Sequence, residues 1–231
     1  MKPLAECRLY AFVDTTYLRG RAPGTIAQQL CVGGADLIQL RAKQSPLDEV
    51  RRMAEAILPV TQRAGIALVI NDYPSLAQEV GAEFCHLGQD DFFSAGYTHV
   101  SQLAAATKAI EEPANARRAT ALKLGIGLSS AAPEQARRAV AADADYLGVG
   151  PVYPTGTKPV AKAATLEYVR WAAANLHIPW FAIGGITLDN VDEVVAAGAQ
   201  RVCVVSAILC AEDPATACRK FKERLLLCRR L

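Results

Sequence analysis

The sequence predicts an α/β fold, a single (β/α)8 TIM barrel that spans residues 1–231. Eight short apolar runs recur along the chain, and segments with apolar residues at helical spacing separate them. Continuous apolar strands that alternate with amphipathic helices are typical of a parallel sheet covered by helices. Eight such repeats favour a closed barrel over an open doubly wound sheet.

The predicted strands occupy residues 9–13, 37–40, 67–70, 84–87, 124–128, 146–149, 180–183 and 202–205. Between them, segments such as 47–57 and 133–141 have helical periodicity, and Pro133 suits the first turn of the second of these helices. Three Gly-Ala pairs, which begin at Gly34, Gly81 and Gly198, each precede a predicted strand. Glycine in this place is typical of a helix C-terminus, so the pairs mark repeated αβ junctions.

One repeat is longer than the others. The connection between the fourth and fifth strands contains a segment of 32 residues, 92–123, which is enough for a helix near 100–110 and an extra loop or turn. We expect this segment to lie against the active face as a lid or wall. Phe92 and Phe93, which begin it, would then cover the metal site expected at Asp91, the residue before them.

The amino-acid composition excludes several classes of protein. With 25 Lys and Arg against 23 Asp and Glu, the chain has no field that would hold nucleic acid or an anionic membrane. No signal segment opens the sequence and no apolar run approaches ~20 residues, so we expect a soluble, cytoplasmic protein. The seven cysteines include no Cys-x-x-Cys and are interpreted as reduced thiols. A homo-oligomer is compatible with the sequence.

Two acidic residues follow neighbouring predicted strands. Asp72 comes after Asn71 at the end of the third strand, and Asp91 follows the fourth, 19 residues later. If these strands are parallel and adjacent, the two carboxylates can share one Mg²⁺, which completes its coordination with water and substrate phosphate. The alternative, serious for Asp72, is that it caps the next helix. His86, a lone histidine at the end of an apolar strand, is interpreted as a structural residue with its hydrogen bonds satisfied.

Other polar residues close the remaining strands. Strand periodicity puts Gln39, Arg41 and Lys43 on one side, as three donors at the barrel mouth; the alternative is a solvated strand end. Residues 155–158 suit a phosphate cradle, and the alternative is an ordinary turn. The ends of the seventh and eighth strands are where barrels commonly build a second phosphate site. Two phosphate sites on one face predict two phosphorylated substrates or one substrate with two phosphates.

With these residues in place the chain resembles the thiamine-phosphate synthase family. The matching motifs, in chain order, are Gln39-Leu40-Arg41-x-Lys43, Ile70-Asn71-Asp72, His86-Leu87-Gly88-Gln89-x-Asp91, the run from Asp145 to Lys158, Gly184-Gly185-Ile186 and Val205-Ser206-Ala207-Ile208.

The resemblance implies an enzyme that joins hydroxymethylpyrimidine diphosphate to a thiazole phosphate, giving thiamine phosphate and pyrophosphate. Asp72 and Asp91 would bind Mg²⁺, and Ser129 would sit beside the diphosphate. The residues that would hold the pyrimidine diphosphate are Gln39, Arg41, Lys43, Asn71 and Lys158. Those that would hold the thiazole phosphate are Thr155, Thr157, Gly185, Val205 and Ser206. Of the whole set, the residues expected to be catalytic are Lys158, Arg41, Lys43 and Ser129.

Two positions depart from the family pattern. The glutamate usual between Arg41 and Lys43 is Ala42, and the family's Ser-Thr-His run ends here in Ala131. A related thiazole tautomerase relies on a histidine near Ala131, so the alanine counts against that alternative. A non-catalytic paralogue that binds thiamine phosphate is a second alternative, although no expected metal or diphosphate ligand is lost. A phosphosugar isomerase barrel would need an acid/base pair instead of two carboxylates placed for Mg²⁺.

Overall fold

Eight parallel strands close into a barrel in which each strand pairs with the next along the chain and the last pairs with the first. The computed structural model describes residues 2–103, 124–155 and 165–227. Helices lie in the connections between strands. The predicted (β/α)8 fold is therefore confirmed.

The strands are β1 (Leu9–Asp14), β2 (Leu37–Arg41), β3 (Ala67–Asn71), β4 (Phe84–Leu87), β5 (Gly125–Ser130), β6 (Tyr146–Val149), β7 (Trp180–Ile183) and β8 (Val202–Val204). Strands β4, β6 and β7 have the predicted bounds, and the others differ by one or two residues at an end. The first three strands run one residue further than predicted because backbone pairing continues through their polar ends. Asp14 pairs with Arg41, and Asn71 pairs with His86.

The helices of the described residues are α1 (Thr15–Leu18), α2 (Pro23–Val32), α3 (Leu47–Ala64), α4 (Pro74–Val80), α5 (Pro133–Ala141), α6 (Thr165–Asn175), α7 (Val191–Ala196), α8 (Ser206–Leu209) and α9 (Pro214–Leu227). A 3-10 turn at Leu4–Glu6 precedes β1. Helix α5 has the predicted bounds, with Pro133 in its first turn. Gly34, Gly81 and Gly198 have φ of 86°, 79° and 104°, the left-handed conformation expected where these helices end.

Aromatic rings fill the barrel beneath its mouth. The Tyr10 ring centroid lies 5.3 Å from that of Phe181 and 6.0 Å from that of Tyr146, and Phe84 meets Tyr146 edge-on at 5.9 Å. These rings come from β1, β4, β6 and β7, so they cross-link opposite parts of the barrel. Gly127 on β5 makes room for them, since a Cβ there would lie 2.1 Å from Cζ of Tyr146.

The segment after β4 differs from its prediction. Asp90–Ser94 forms a π-helical turn, and Phe92 in it is fully buried against Phe93, with ring centroids 4.9 Å apart. The guanidinium carbon of Arg138, on helix α5, lies 3.7 Å from the Phe93 ring centroid. Both rings thus pack away from the mouth, and the prediction that they cover the metal site is wrong. Residues 104–123, which carry most of the predicted lid, lie outside the described residues.

Within the described ranges, no helix is both long enough and apolar enough to cross a bilayer. The six cysteines of the same ranges are free thiols. Burial raises the pKa of the Cys7 and Cys31 thiols to about 11, which keeps both protonated at neutral pH.

We expect Gly127→Ala to lower the free energy of unfolding by about 1–3 kcal/mol, because the added methyl group would overlap the Tyr146 ring in a closely packed interior. Urea unfolding followed by circular dichroism measures this loss. Gly148→Ala on β6 is the matched control, since its Cβ would meet nothing nearer than His86 Cε1 at 3.4 Å. Equal losses for the two variants would contradict the role given to Gly127.

Candidate active site

A cavity of about 470 Å³ opens at the rim where the strands end. Its walls contain most of the residues that the sequence singled out. The predicted site residues that line it are Gln39, Arg41, Lys43, Asn71, Asp72, Asp91, Ser129, Thr155, Gly185, Val205 and Ser206. The other two, Thr157 and Lys158, lie outside the described residues. The closed parallel barrel therefore brings together side chains spread from residue 39 to residue 206.

Lys43 lies between the two predicted metal ligands. Its Nζ is 3.0 Å from Oδ2 of Asp72 and 3.8 Å from Oδ2 of Asp91. One cationic group thus contacts both carboxylates, which shows that they converge on a common point. The Asp72 side chain is 20% exposed and that of Asp91 is 44% exposed, so solvent reaches this point from the mouth.

The backbone at Asp72 explains how its carboxylate reaches that point. Asp72 has φ of 68°, in the left-handed region that residues other than glycine seldom occupy. Its N–H donates to the backbone carbonyl of His86 on the next strand, 2.9 Å away. Helix α4 starts after Tyr73, which holds the N-cap position and makes no side-chain capping bond. The capping alternative for Asp72 is therefore wrong, and the unusual backbone turns the carboxylate toward Lys43.

Arg41 is held by an acidic residue that the sequence reasoning missed. Its Nη1 lies 2.9 Å from Oδ2 of Asp14, and the Asp14 side chain is fully buried. The other Asp14 oxygen accepts a hydrogen bond from the backbone N–H of Thr16 and caps helix α1. A signal was present, since Asp14 ends a strand just as Asn71 does. Its backbone pairing with Arg41 places the two side chains at the same level of the rim.

His86 connects the barrel interior to the cavity. Its Nδ1 is 3.2 Å from the Tyr146 hydroxyl, and its Nε2 is 3.0 Å from Oγ of Ser129. The prediction that its ring is satisfied by hydrogen bonds is confirmed. The residue also lines the cavity beside Ser129, a position that a lone histidine at the end of an apolar strand did not reveal in the sequence.

The opposite side of the cavity is built by close backbone packing. Gly184 and Gly185 have φ of 101° and 64°, and a Cβ on Gly185 would lie 2.7 Å from the carbonyl oxygen of Pro154. The loop that carries Thr155 therefore rests against these glycines. The Asn190 side-chain amide donates to the Gly185 carbonyl at 2.9 Å and fixes the turn. Backbone and hydroxyl groups form this wall. Among the described residues, the ion pairs that line the cavity lie on its other side.

The two departures from the family pattern have local structural partners. Ala42 is 3% exposed and packs in the core. Ala131 lines the cavity, and its backbone N–H donates to Oε1 of Gln135 at 2.7 Å. Ser130 also lines the cavity, but its hydroxyl is engaged within the protein. Its hydroxyl accepts from Tyr168 and donates to the Gly148 carbonyl.

Known proteins share this architecture and much of this sequence. A family model described as thiamine monophosphate synthase matches residues 9–208. The thiamine-phosphate synthase of Thermus thermophilus is 44% identical over 199 residues, which make up 86% of each chain. That of Acidothermus cellulolyticus is 40% identical over 225 residues, 96% of each chain. Among solved structures, a thiamine phosphate pyrophosphorylase from Pyrococcus furiosus superposes with a TM-score of 0.80 at 26% identity, covering 98% of this chain and 99% of its own.

We expect Asp14→Ala to lower the free energy of unfolding by about 3 kcal/mol, because it leaves the poorly exposed Arg41 guanidinium without its carboxylate. A double-mutant cycle with Arg41→Ala, measured by urea unfolding, should give a coupling energy of about 1 kcal/mol or more. Glu79→Ala is the control, since its pair with Arg51 is exposed and should contribute less than about 1 kcal/mol. Additive losses at Asp14 and Arg41 would show that this pair contributes nothing.

Proposed function

The chain belongs to the thiamine monophosphate synthase family, and we propose that it joins hydroxymethylpyrimidine diphosphate to a thiazole phosphate, forming thiamine phosphate and pyrophosphate. The observation that carries the proposal is a single cavity with two different polar sides. Arg41, Lys43 and two carboxylates form one side, and Gly185 with Ser206 lies on the other. A reaction between two phosphorylated substrates needs both kinds of surface within one space.

The diphosphate fits the charged side. Arg41 offers a planar guanidinium that can bind phosphate oxygens at two points, and Lys43 offers a compact ammonium group. The chain as a whole has a formal net charge of only +2, so attraction for a polyanion must come from such local groups. Asn71, 8% exposed at the rim, adds an amide that can donate to the same substrate.

The donor set at Asp72 and Asp91 fits Mg²⁺. The described residues contain no group of three or more His, Cys, Asp or Glu side chains that could hold a metal. Two carboxylates alone suit Mg²⁺, which usually keeps several waters and takes its other ligands from substrate phosphates. When bound, the ion would supply positive charge against the departing diphosphate.

The proposed reaction requires little acid or base catalysis from the side chains. The bond between the pyrimidine methylene carbon and the diphosphate oxygen breaks, and its electron pair leaves with the diphosphate. The lone pair of the thiazole nitrogen then forms the new carbon–nitrogen bond, and no proton is lost. Arg41 and Lys43 stabilise the charge that develops on the leaving group, and the walls of the cavity limit access of water to the pyrimidine cation.

The thiazole phosphate fits the opposite side. Thr155 and Ser206 bring hydroxyl groups there, and the glycine turn at Gly184 and Gly185 leaves space beside the backbone. Hydroxyl and backbone N–H groups are the donors that commonly bind a phosphate in such turns. This arrangement would aim the thiazole nitrogen toward the centre of the mouth, where the diphosphate leaves.

The tautomerase alternative has no support. The relatives reported above are named as synthases or pyrophosphorylases. The position where a tautomerase would need histidine is Ala131, whose backbone is engaged with Gln135. The synthase reaction has no use for a base at that position.

Incubation of the purified protein with both substrates and Mg²⁺ tests the proposal. We expect one pyrophosphate to be released for each thiamine phosphate formed, measured by coupled phosphate detection and chromatography. Binding of both substrates without product would favour the non-catalytic paralogue. Isomerisation of the thiazole carboxylate phosphate alone would favour the tautomerase.

We expect Asp91→Asn to lower kcat by about 100-fold or more, because it removes one of the two carboxylates placed to hold Mg²⁺. Steady-state kinetics over a range of Mg²⁺ concentrations provides the measurement. Asp90→Asn is the control, since Asp90 lines the same cavity and forms no ion pair within the described residues. Full activity of the wild-type protein in excess EDTA would refute the metal assignment.

A further inference from the structure

A chain of five hydrogen-bonded side chains, here called the relay, runs beneath the cavity floor. Gln39 Nε2 donates to the Tyr10 hydroxyl at 2.5 Å, and the two hydroxyls of Tyr10 and Tyr146 lie 3.0 Å apart. The Tyr146 hydroxyl is 3.2 Å from Nδ1 of His86, whose Nε2 is 3.0 Å from Oγ of Ser129. Both ends of the relay line the cavity, on strands β2 and β5.

The middle of the relay is buried. Tyr10 is 2% exposed and Tyr146 is fully buried. Burial raises the pKa of both phenols well above the usual range, so each keeps its proton. A phenol has one proton to donate, and the partners of these two buried hydroxyls are the other side chains of the relay. The hydrogen bonds must therefore point in one direction along the whole relay.

The donor at one end sets that direction. Because the Tyr10 oxygen accepts from Gln39, its own proton goes to Tyr146, and the Tyr146 proton goes to Nδ1 of His86. A neutral imidazole that accepts at Nδ1 carries its proton on Nε2, from which it donates to Ser129. The Ser129 proton then has no acceptor among the described residues and is free to point into the cavity. At the other end, Oε1 of Gln39 has no donor among those residues.

We propose that the relay fixes the hydrogen-bond polarity of the active site, presenting Gln39 as an acceptor and Ser129 as a donor to the bound pyrimidine diphosphate. Tyr10, Tyr146 and His86 are then positioning residues that act through the two ends. This inference rests on the proposed function. An aminopyrimidine has an amino group that donates, while its ring nitrogens and the diphosphate oxygens accept, so it matches this polarity.

The opposite polarity would mismatch the substrate. If the Gln39 amide were turned over, Tyr10 would donate to its oxygen, every bond of the relay would reverse, and Ser129 would donate to Nε2 of His86. The cavity would then present the Gln39 amino group to the amino group of the substrate, which leaves donors facing donors. The two ends cannot change independently, because the buried phenols between them carry one proton each.

The tautomer of His86 reports the polarity without any substrate. Nuclear magnetic resonance of protein labelled with nitrogen-15 distinguishes a proton on Nε2 from one on Nδ1. In the wild-type protein at neutral pH we expect the Nε2–H form. A wild-type protein with the proton on Nδ1, or on both nitrogens, would overturn the proposal.

Gln39→Glu gives the sharpest test, because a carboxylate accepts from Tyr10 and cannot donate to it. We expect this substitution to reverse the relay and to move the His86 proton from Nε2 to Nδ1, although the two residues lie on different strands. An unchanged tautomer would show that the side chains are not coupled. This result does not depend on turnover, so it separates failure of the relay from failure of the proposed function.

Kinetics then connect the relay to the substrate. We expect Tyr146→Phe to populate both His86 tautomers and to raise KM for the pyrimidine diphosphate by about tenfold, the effect of one lost hydrogen bond, with KM for the thiazole phosphate unchanged. Tyr168→Phe is the matched control, since it removes a buried hydroxyl that contacts Ser130 and lies off the relay. If the two variants had equal effects on KM, the change would be due to altered packing and the relay would have no role in substrate binding. If Tyr146→Phe does not fold, Tyr10→Phe interrupts the same relay one bond earlier and must give the same pattern.

Discussion

The register of the closed parallel barrel determines the position of the side chains that the strands bring to the mouth. Asp14 stands beside Arg41, and Ser129 beside Gly148, because these residues are backbone partners on neighbouring strands. Alternate residues of a strand face opposite sides, so a shift of one residue would turn each of these side chains away from the cavity. The eight strands are buried on both faces and hold that register with apolar packing. The positions of the polar groups at the mouth thus depend on the packing of a mostly apolar core.

The charges at the mouth have two kinds of partner. Asp14 is fully buried and also caps a helix, so its pair with Arg41 is a fixed part of the fold. Asp72 and Asp91 are partly exposed, and Lys43 contacts both of them at the edge of the cavity. Ion pairs of this exposed kind cost little to rearrange. Arg41 is therefore preorganised, whereas Lys43 and its two carboxylates are able to exchange partners when a diphosphate and a cation arrive together.

The sequence was sufficient for features that depend on local pattern. Strands buried on both faces read as continuous apolar runs, and polar residues directly after them had to meet at one rim. It was insufficient where position depends on tertiary packing. Phe92 and Phe93 follow a predicted metal ligand, but a π-helical turn directs them to the core and to Arg138. The hydrogen bond between Tyr10 and Tyr146 joins residues 136 positions apart, and the local sequence around either residue does not predict it.

The same tyrosines fill the core and carry the polar connection between the two sides of the mouth. Tyr146 packs edge-on against Phe84 and Phe181, and its ring occupies the space left by the missing side chain of Gly127. The position of the ring decides where the hydroxyl lies, and the hydroxyl connects Nδ1 of His86 through Tyr10 to Gln39, whose amide sets the direction of the hydrogen bonds. Packing inside this barrel is consequently not separable from recognition at its mouth. A residue that never contacts the substrate can change the hydrogen bonds offered to it, because the rigid aromatic core transmits its position.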